Sequence, residues 1–342
     1  MGVIEYMRFN NILINVTERC DVGCRHCGYI GAKRDREMTA IEMESWVGQV
    51  CGYGISKIIF TGGEPFGRQD LLARGVQCAH NCGVLTSVFT SAFWAASPEQ
   101  ARSTLRNVPG LDQLYISTDR YHQERVPLAS VYNAIDAAIA AGVSRITLVI
   151  TYDEEPERDA VAAQYSRYGD RVEVSWQRLI LNKTMQRAGK EPAGGLGLAP
   201  DGYECGCFLG TPLINPDGNV FSCHIGKAAA HRDIRNMPYF LGNLREAAFI
   251  DIMSRALHRS DYRFLLAHGP KGVAEMVQAH PEIAQDLPRR QFASGCDMCM
   301  SIMLMPSAAK ALQRHAEAST DATEIRLALS AVKGTLGGKP RG

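Results

Sequence analysis

The sequence predicts an α/β protein: an open (βα)6 partial barrel followed by a smaller C-terminal domain. Three observations predict it. Short apolar, β-branched runs alternate with helix-forming stretches from residue 12 to about 181, the pattern of right-handed βαβ units around a parallel sheet. Six such units in about 170 residues are too few for a closed eightfold barrel, which takes roughly 250. After Leu181 the alternation stops, and a Gly- and Pro-rich stretch gives way to hairpin and helix patterns.

The strands are expected at 12–17, 57–61, 84–89, 113–118, 145–151 and 172–180, with helices between them at 41–52, 69–82, 97–106, 127–141 and 156–168. Helix ends support these limits. Thr39 precedes the first helix with Glu42 at the capping-box spacing, and Ser97-Pro98-Glu99 sets proline in a first turn. Pro127 opens another helix, while Gly142 and Gly169 stop two. Residues 189–202 carry five glycines and two prolines and read as a linker or loop. Pro216-Asp217-Gly218 lies between apolar runs within 205–225, as in a hairpin. Helices are expected at 245–268, 271–280 and 306–318, then a basic, glycine-rich tail at 334–342.

Composition removes several function classes. The 342 residues suit two unequal domains, and 46% hydrophobic with 21% charged residues is ordinary for a globular protein. A net charge of +1 supplies no field for nucleic acid or anionic lipid. No apolar run approaches the ~18 residues of a membrane span. The start Met1-Gly2-Val3-Ile4-Glu5-Tyr6 lacks signal-peptide and myristoylation patterns. The expected location is the cytoplasm, with neither nucleic acid nor membrane as partner.

Eleven cysteines are many for such a chain, and clustered thiols in a reducing compartment point to metal or catalysis before disulfides. Cys20-Asp-Val-Gly-Cys24-Arg-His-Cys27 puts three thiolates in one loop after the first strand. Three thiolates fill neither a four-coordinate zinc site nor all four irons of a cube. Gly23 lets the loop bend, and a zinc loop completed by His26 or a distant ligand is the alternative. Cys205, Cys207, Cys223, Cys296 and Cys299 form a second set, able to converge on one four-thiolate site that spacing alone leaves open to iron or zinc. Cys51, Cys78 and Cys82 fall on helices and read as small core residues.

The first loop, together with Gly62-Gly63-Glu64-Pro65 after the second strand, resembles the radical S-adenosylmethionine (radical SAM) enzymes, whose signature is Cys-x3-Cys-x-aromatic-Cys followed by Gly-Gly-Glu-Pro. His26 stands where that signature commonly has Tyr or Phe and is still a flat ring. The second set resembles the twitch auxiliary-cluster module, related to the larger SPASM domain, with Gly218-x4-Cys223 matching its hairpin. The resemblance implies a partial TIM barrel over 1–185, a linker at 186–204, a twitch/SPASM-like domain at 205–320 and a C-terminal helix and tail at 321–342. It implies a [4Fe–4S] cluster on Cys20, Cys24 and Cys27, with S-adenosylmethionine on the open iron. A single auxiliary [4Fe–4S] cluster is expected on Cys223, Cys296, Cys299 and either Cys205 or Cys207, since no cysteine follows Cys299. The unused one, Cys207 where Cys205 is the ligand, is a candidate hydrogen-atom donor.

By the same resemblance Gly62, Gly63 and Glu64 hold the amino group of S-adenosylmethionine and Pro65 stiffens the turn. Ser117 and Asp119 bond ribose hydroxyls, and Ser91 and Arg178 are candidates for the methionine carboxylate. His122, just past Asp119, is a candidate general base. The expected activity is reductive cleavage of S-adenosylmethionine to a 5′-deoxyadenosyl radical that abstracts a substrate hydrogen atom. A flavodoxin- or ferredoxin-type protein supplies the electron. The substrate is a ribosomally made peptide, gaining a crosslink, thioether or epimerised residue, or else a small polar metabolite such as an aminocyclitol, sugar or nucleoside. An iron–sulfur electron carrier is the non-enzymatic alternative.

Overall fold

A computed structural model of the chain describes residues 9–27, 37–152, 154–178, 210–223, 235–287, 292, 294–325 and 327. Six strands follow one another in parallel: β1 (Asn11–Thr17), β2 (Lys57–Gly62), β3 (Leu85–Thr90), β4 (Gln113–Ser117), β5 (Arg145–Tyr152) and β6 (Glu173–Arg178). Between them run α1 (Ala40–Tyr53), α2 (Gln69–Asn81), α3 (Pro98–Arg106), a single turn α4 (Arg120–Gln123), α5 (Leu128–Ala140) and α6 (Glu155–Ala163). This is the expected α/β partial barrel, with strand limits within one or two residues of those read from the sequence. The expected 186–204 linker, residues 179–180 of the last strand and the 334–342 tail lie outside the described residues.

Local sequence explains the element starts. Thr39 Oγ1 accepts the Glu42 amide at 3.2 Å while the Glu42 carboxylate accepts the Thr39 amide at 2.8 Å, completing the capping box of α1. Ser97 caps α3 through the Gln100 amide, with Pro98 in the first turn. β1 is buried along nearly its whole length, as parallel strands covered on both faces must be. Ile12, Ile14 and Val16 pack with Met43, Trp46 and Val47 of α1 in the main core, whereas Leu13 packs into a second core.

That second core belongs to the C-terminal region, and it shares the sheet. β7 (Leu213–Ile214) pairs in parallel with β1, Leu13 opposite Leu213 and Ile14 opposite Ile214. β8 (Asn219–Phe221) and β9 (Phe240–Asn243) continue antiparallel. Among the described residues the strand order is β6-β5-β4-β3-β2-β1-β7-β8-β9. The β7–β8 turn is the expected Pro216-Asp217-Gly218 hairpin, closed by Asn215 N–H to Asn219 O at 2.9 Å. The helices α7 (Phe249–Leu257), α8 (Ser260–Ala279), α9 (Pro281–Asp286), α10 (Gly295–Met303) and α11 (Pro306–Ala318) follow. α8 breaks at Gly269-Pro270, between the two expected helices, because Pro270 cannot continue the hydrogen-bond ladder. The expected helix 245–268 is itself interrupted, starting at Phe249 and passing from α7 to α8 across His258 and Arg259.

Arg245 Nε meets Glu42 Oε1 at 2.6 Å, and the Phe249 amide donates to Gln49 Oε1 at 2.9 Å, so α1 also anchors the C-terminal region. Cys51 and Cys78 are half-buried at the margin of the main core, near exposed Cys82, and Cys78 Sγ donates to Glu44 O at 3.7 Å. Among the described residues no helix is long and apolar enough to cross a membrane.

Candidate active site

The strand ends gather the site. β1 ends at Thr17 and releases the loop Glu18–Cys27, which turns through Gly23 at φ 68° and closes with the Cys27 amide on the Cys24 carbonyl at 3.0 Å. Cys24 is buried and Cys27 half-buried. Cys20 is at the surface, but protein packed around its sulfur pushes the thiol up to about 11, with Glu64 and Cys27 adding repulsion. A cation that binds this thiolate lowers the same cost.

The turn after β2 docks on the root of that loop. The Gly63 amide donates to Thr17 O at 2.7 Å and the Glu64 amide to Arg19 O at 2.9 Å. Gly63 is required by contact: a Cβ there would lie 2.1 Å from the Arg19 carbonyl oxygen. The buried Glu64 carboxylate collects four donors, from Thr90 Oγ1 (2.7 Å), Ser91 Oγ (2.6 Å), Ser91 N (2.9 Å) and Phe66 N (3.3 Å). Burial pushes its pKa up, and these donors offset part of that cost by stabilising the carboxylate. Pro65 begins the 3₁₀ turn Pro65–Arg68 and is buried. Ser91, at the end of β3, thus bonds Glu64.

At the end of β4, Ser117 is half-buried and Asp119 is buried. Asp119 Oδ1 caps α4 by accepting the amides of Tyr121 and His122, both at 3.0 Å. Its Oδ2 sits 2.8 Å from His122 Nδ1 and accepts the Thr151 amide at 3.3 Å. Burial raises the Asp119 pKa, but the adjacent imidazolium outweighs it and the net shift is down. For His122 burial lowers the pKa, yet Asp119 and then Cys24 outweigh it and the net shift is up. The His26 ring lies 4.8 Å from both Tyr121 and His122. Burial, followed by the His122 charge, lowers its pKa to about 4. Ligand atoms of His26, Asp119 and His122 all fall within 4.8 Å of one another. Arg178 ends β6, opposite Tyr152, at the sheet edge remote from β1.

The second cysteine set comes together in part. Cys223 follows β8, Cys296 and Cys299 sit one turn apart on α10, and Cys223 and Cys299 share the second core. Buried Tyr239 lies with its hydroxyl 2.7 Å from Cys299 Sγ and 3.0 Å from the Cys299 carbonyl. Cys205 and Cys207 lie outside the described residues.

Residues 14–164, from β1 into α6, match the family model of the radical SAM superfamily. The chain carries a radical SAM domain. A domain of that superfamily marks an enzyme and implies a [4Fe–4S] cluster and S-adenosylmethionine. Among relatives, the probable GTP 3′,8-cyclase of Methanocella arvoryzae is 26% identical over 165 residues, 45% of this chain and 51% of that protein. This chain thus spans about half the length of that relative. The PqqA peptide cyclase of Xanthomonas oryzae pv. oryzae is 25% identical over 343 aligned positions, 87% of this chain and 85% of that protein. Among solved structures, anSMEcpe with bound AdoMet and Cp18Cys peptide has 14% identity and a TM-score of 0.48, covering 94% of this chain and 99% of that one.

The radical SAM domain offers a donor set that fits such a cluster: three thiols on one loop, and a glycine turn pressed so closely to that loop that a Cβ would collide with its backbone. Sequence reasoning missed the parts that join these pieces. Trp94 Nε1 donates to Thr90 Oγ1 at 2.8 Å and so supports Glu64. Tyr121, Arg25 and Glu124 brace the cysteine loop, and Tyr239 reaches Cys299 from 60 residues away. Asp119-x-x-His122 was the one local signal available, since Asp before a short helix is an N-cap and i,i+3 puts the histidine beside it.

Proposed function

We propose that this radical SAM enzyme modifies a ribosomally synthesised peptide, forming a crosslink, a thioether or an epimerised residue. The observation that carries the reading is the reach of the likeness to PqqA peptide cyclase, which at 87% of the chain extends well beyond the barrel into the C-terminal region. Residues 1–185 are the barrel, 186–204 the linker, 205–320 the auxiliary-cluster domain and 321–342 the closing helix and tail. Cys20, Cys24 and Cys27 hold the cluster, and S-adenosylmethionine takes its open iron. When bound, the pair would supply a 5′-deoxyadenosyl radical, released with methionine at the expense of one cluster electron, to remove a hydrogen atom from the substrate.

The chain's own residues bind and orient. The Gly62 and Gly63 carbonyls face the amino group of S-adenosylmethionine, and Glu64, tied down by Thr90 and Ser91, fixes the turn that presents them. Ser117 serves the ribose, with Asp119 behind it as the cap of α4; Ser91 and Arg178 remain the proposed partners of the methionine carboxylate. Cys223, Cys296, Cys299 and either Cys205 or Cys207 would hold a single auxiliary [4Fe–4S] cluster, which would offer a site for the electron left after hydrogen abstraction. The packing of Cys223 and Cys299 in one core supports it. A flavodoxin- or ferredoxin-type protein is the reductant. A small polar metabolite is the second reading, favoured by the likeness of the barrel half to GTP 3′,8-cyclases.

The test is anaerobic reconstitution, with S-adenosylmethionine and dithionite, against two probes: a leader-bearing short peptide, sought among the reading frames beside the gene, and GTP. Expected is deoxyadenosine formation coupled to hydrogen loss, or deuterium uptake from D2O, in the peptide. Turnover of GTP with the peptide returned unchanged favours the second reading, and no deoxyadenosine under any condition removes both.

A further inference from the structure

The segment after β4 is built against the cysteine loop, and nothing in the binding scheme above uses most of that contact. Three consecutive loop residues touch it. Cys24 lies beside the His122 side chain. Arg25 pairs with Glu124 at 2.6 Å and lies 5.4 Å from the Tyr121 ring. His26 packs its ring on Tyr121 and, edge to face, on His122. The far side of this contact is rigid. Tyr121 is fully buried, and Asp119 is fixed by two α4 amides and by Thr151. The His122 side chain is only 15% exposed.

We propose that Asp119, His122 and His26 form a clasp that sets the shape of the cysteine loop, with His122 presenting a hydrogen bond to the Cys24 sulfur. These are positioning residues for the proposed cluster, and the inference rests on that cluster reading. The Asp119 carboxylate accepts a hydrogen bond from Nδ1–H at 2.8 Å, which keeps the proton on that nitrogen and fixes the ring plane. The opposite nitrogen is then the one left for Cys24. A donor on a ligand sulfur disperses thiolate charge and raises the reduction potential of the cluster that sulfur holds. His26 adds shape: its ring fills the space between loop and clasp, which explains a flat side chain at that position.

The test compares reconstituted full-length wild type with His122→Asn, His122→Gln, His26→Phe and Glu124→Gln. The asparagine amide reaches Asp119 but not Cys24, whereas the glutamine amide reaches the position of the outer imidazole nitrogen. Readouts are iron and sulfide per chain, the reduced EPR spectrum with and without S-adenosylmethionine, the midpoint potential of the responsive cluster, and iron release to a chelator. Outer-shell partners of metal ligands typically contribute roughly 10- to 100-fold in affinity. His122→Asn should therefore release iron faster by about that factor, with a lowered potential and an altered spectrum. His122→Gln should recover much of the loss, and His26→Phe should keep it small. A His122→Asn enzyme with wild-type spectrum, potential and iron release overturns the clasp. So does one whose cluster is normal but whose deoxyadenosine is uncoupled from product, the signature of a general base. Should His122→Asn not fold, Glu124→Gln decides, since its ion pair is partly exposed: faster iron release supports the clasp, and unchanged release overturns it. A wild-type protein without any S-adenosylmethionine-responsive cluster fails the proposed function itself and is recognised before any variant is compared.

Discussion

Gly63 is the position where the smallest covalent change should do the most specific damage. An alanine there brings its Cβ to 2.1 Å from Arg19 O and 2.5 Å from Arg19 C, where under 3.0 Å is not tolerated. Those are backbone atoms, so loop and turn must separate by roughly the 0.9 Å difference between 3.0 and 2.1. Separation weakens the Gly63–Thr17 and Glu64–Arg19 hydrogen bonds. At about 1 kcal/mol each, plus about 1–3 kcal/mol for overpacking, the junction loses roughly 3–5 kcal/mol. A domain is stable by about 5–15 kcal/mol, so the barrel should still fold. The cysteine loop, however, moves by nearly the distance that costs on the order of 100-fold in rate when reacting groups are misplaced. The assay is the rate of 5′-deoxyadenosine formation per iron–sulfur cluster, with circular dichroism to verify folding. Gly67→Ala is the control, since a Cβ there meets nothing within 4 Å. Wild-type deoxyadenosine formation by Gly63→Ala, with full iron, would refute the docking argument.

Replacing Cys20, Cys24 and Cys27 together by Ala should abolish deoxyadenosine formation yet leave iron on the second cysteine set after anaerobic reconstitution; a colourless, iron-free product removes the auxiliary cluster. Thr90→Val deletes a hydroxyl that donates to Glu64 and accepts from Trp94. It should lower stability by about 1–3 kcal/mol in urea unfolding and weaken S-adenosylmethionine binding, whereas an unchanged midpoint would show that Glu64 does not depend on it. Burial pushes the Glu42 pKa up, but hydrogen bonds from Arg245 and Thr39 outweigh it and the net shift is down. Its contribution is therefore present above the unfolded carboxyl pKa near 4.3 and fades as pH falls through the lower folded value. Glu42→Gln should flatten the acid limb of the stability profile, and an identical limb counts against the assignment. Thr39→Ala should cost about 1 kcal/mol at neutral pH in the same unfolding assay.

What could be read from the chain was what neighbouring residues decide among themselves. The Thr39–Glu42 box, the Ser97 cap, the Pro216-Asp217-Gly218 turn and the break at Gly269-Pro270 all lie within a few positions of their causes. The strands of the barrel were legible because burial on both faces gives continuous β-branched runs. The short β9 and the helix bearing Cys296 and Cys299 carry weaker local signals and went unread. Pairing between β1 and β7 depends on residues 200 apart and leaves no local trace. The cysteine loop and glycine turn were visible as motifs, and the contact between them was not. Asp119 illustrates the limit: the resemblance assigns it a ribose, while folding also engages its oxygens with the amides and imidazole of α4 and the Thr151 amide.

The strand that delivers the cysteine loop has a neighbour on each flank, β2 on one side and β7 on the other. A push on the C-terminal region is felt at Leu13 and Ile14, four and three residues short of Thr17, through direct strand pairing. A chimera that exchanges this region must therefore preserve the Leu13–Leu213 and Ile14–Ile214 register. A slip of one residue turns every side chain of β7 to the wrong face and twists the stem from which the first cysteines hang.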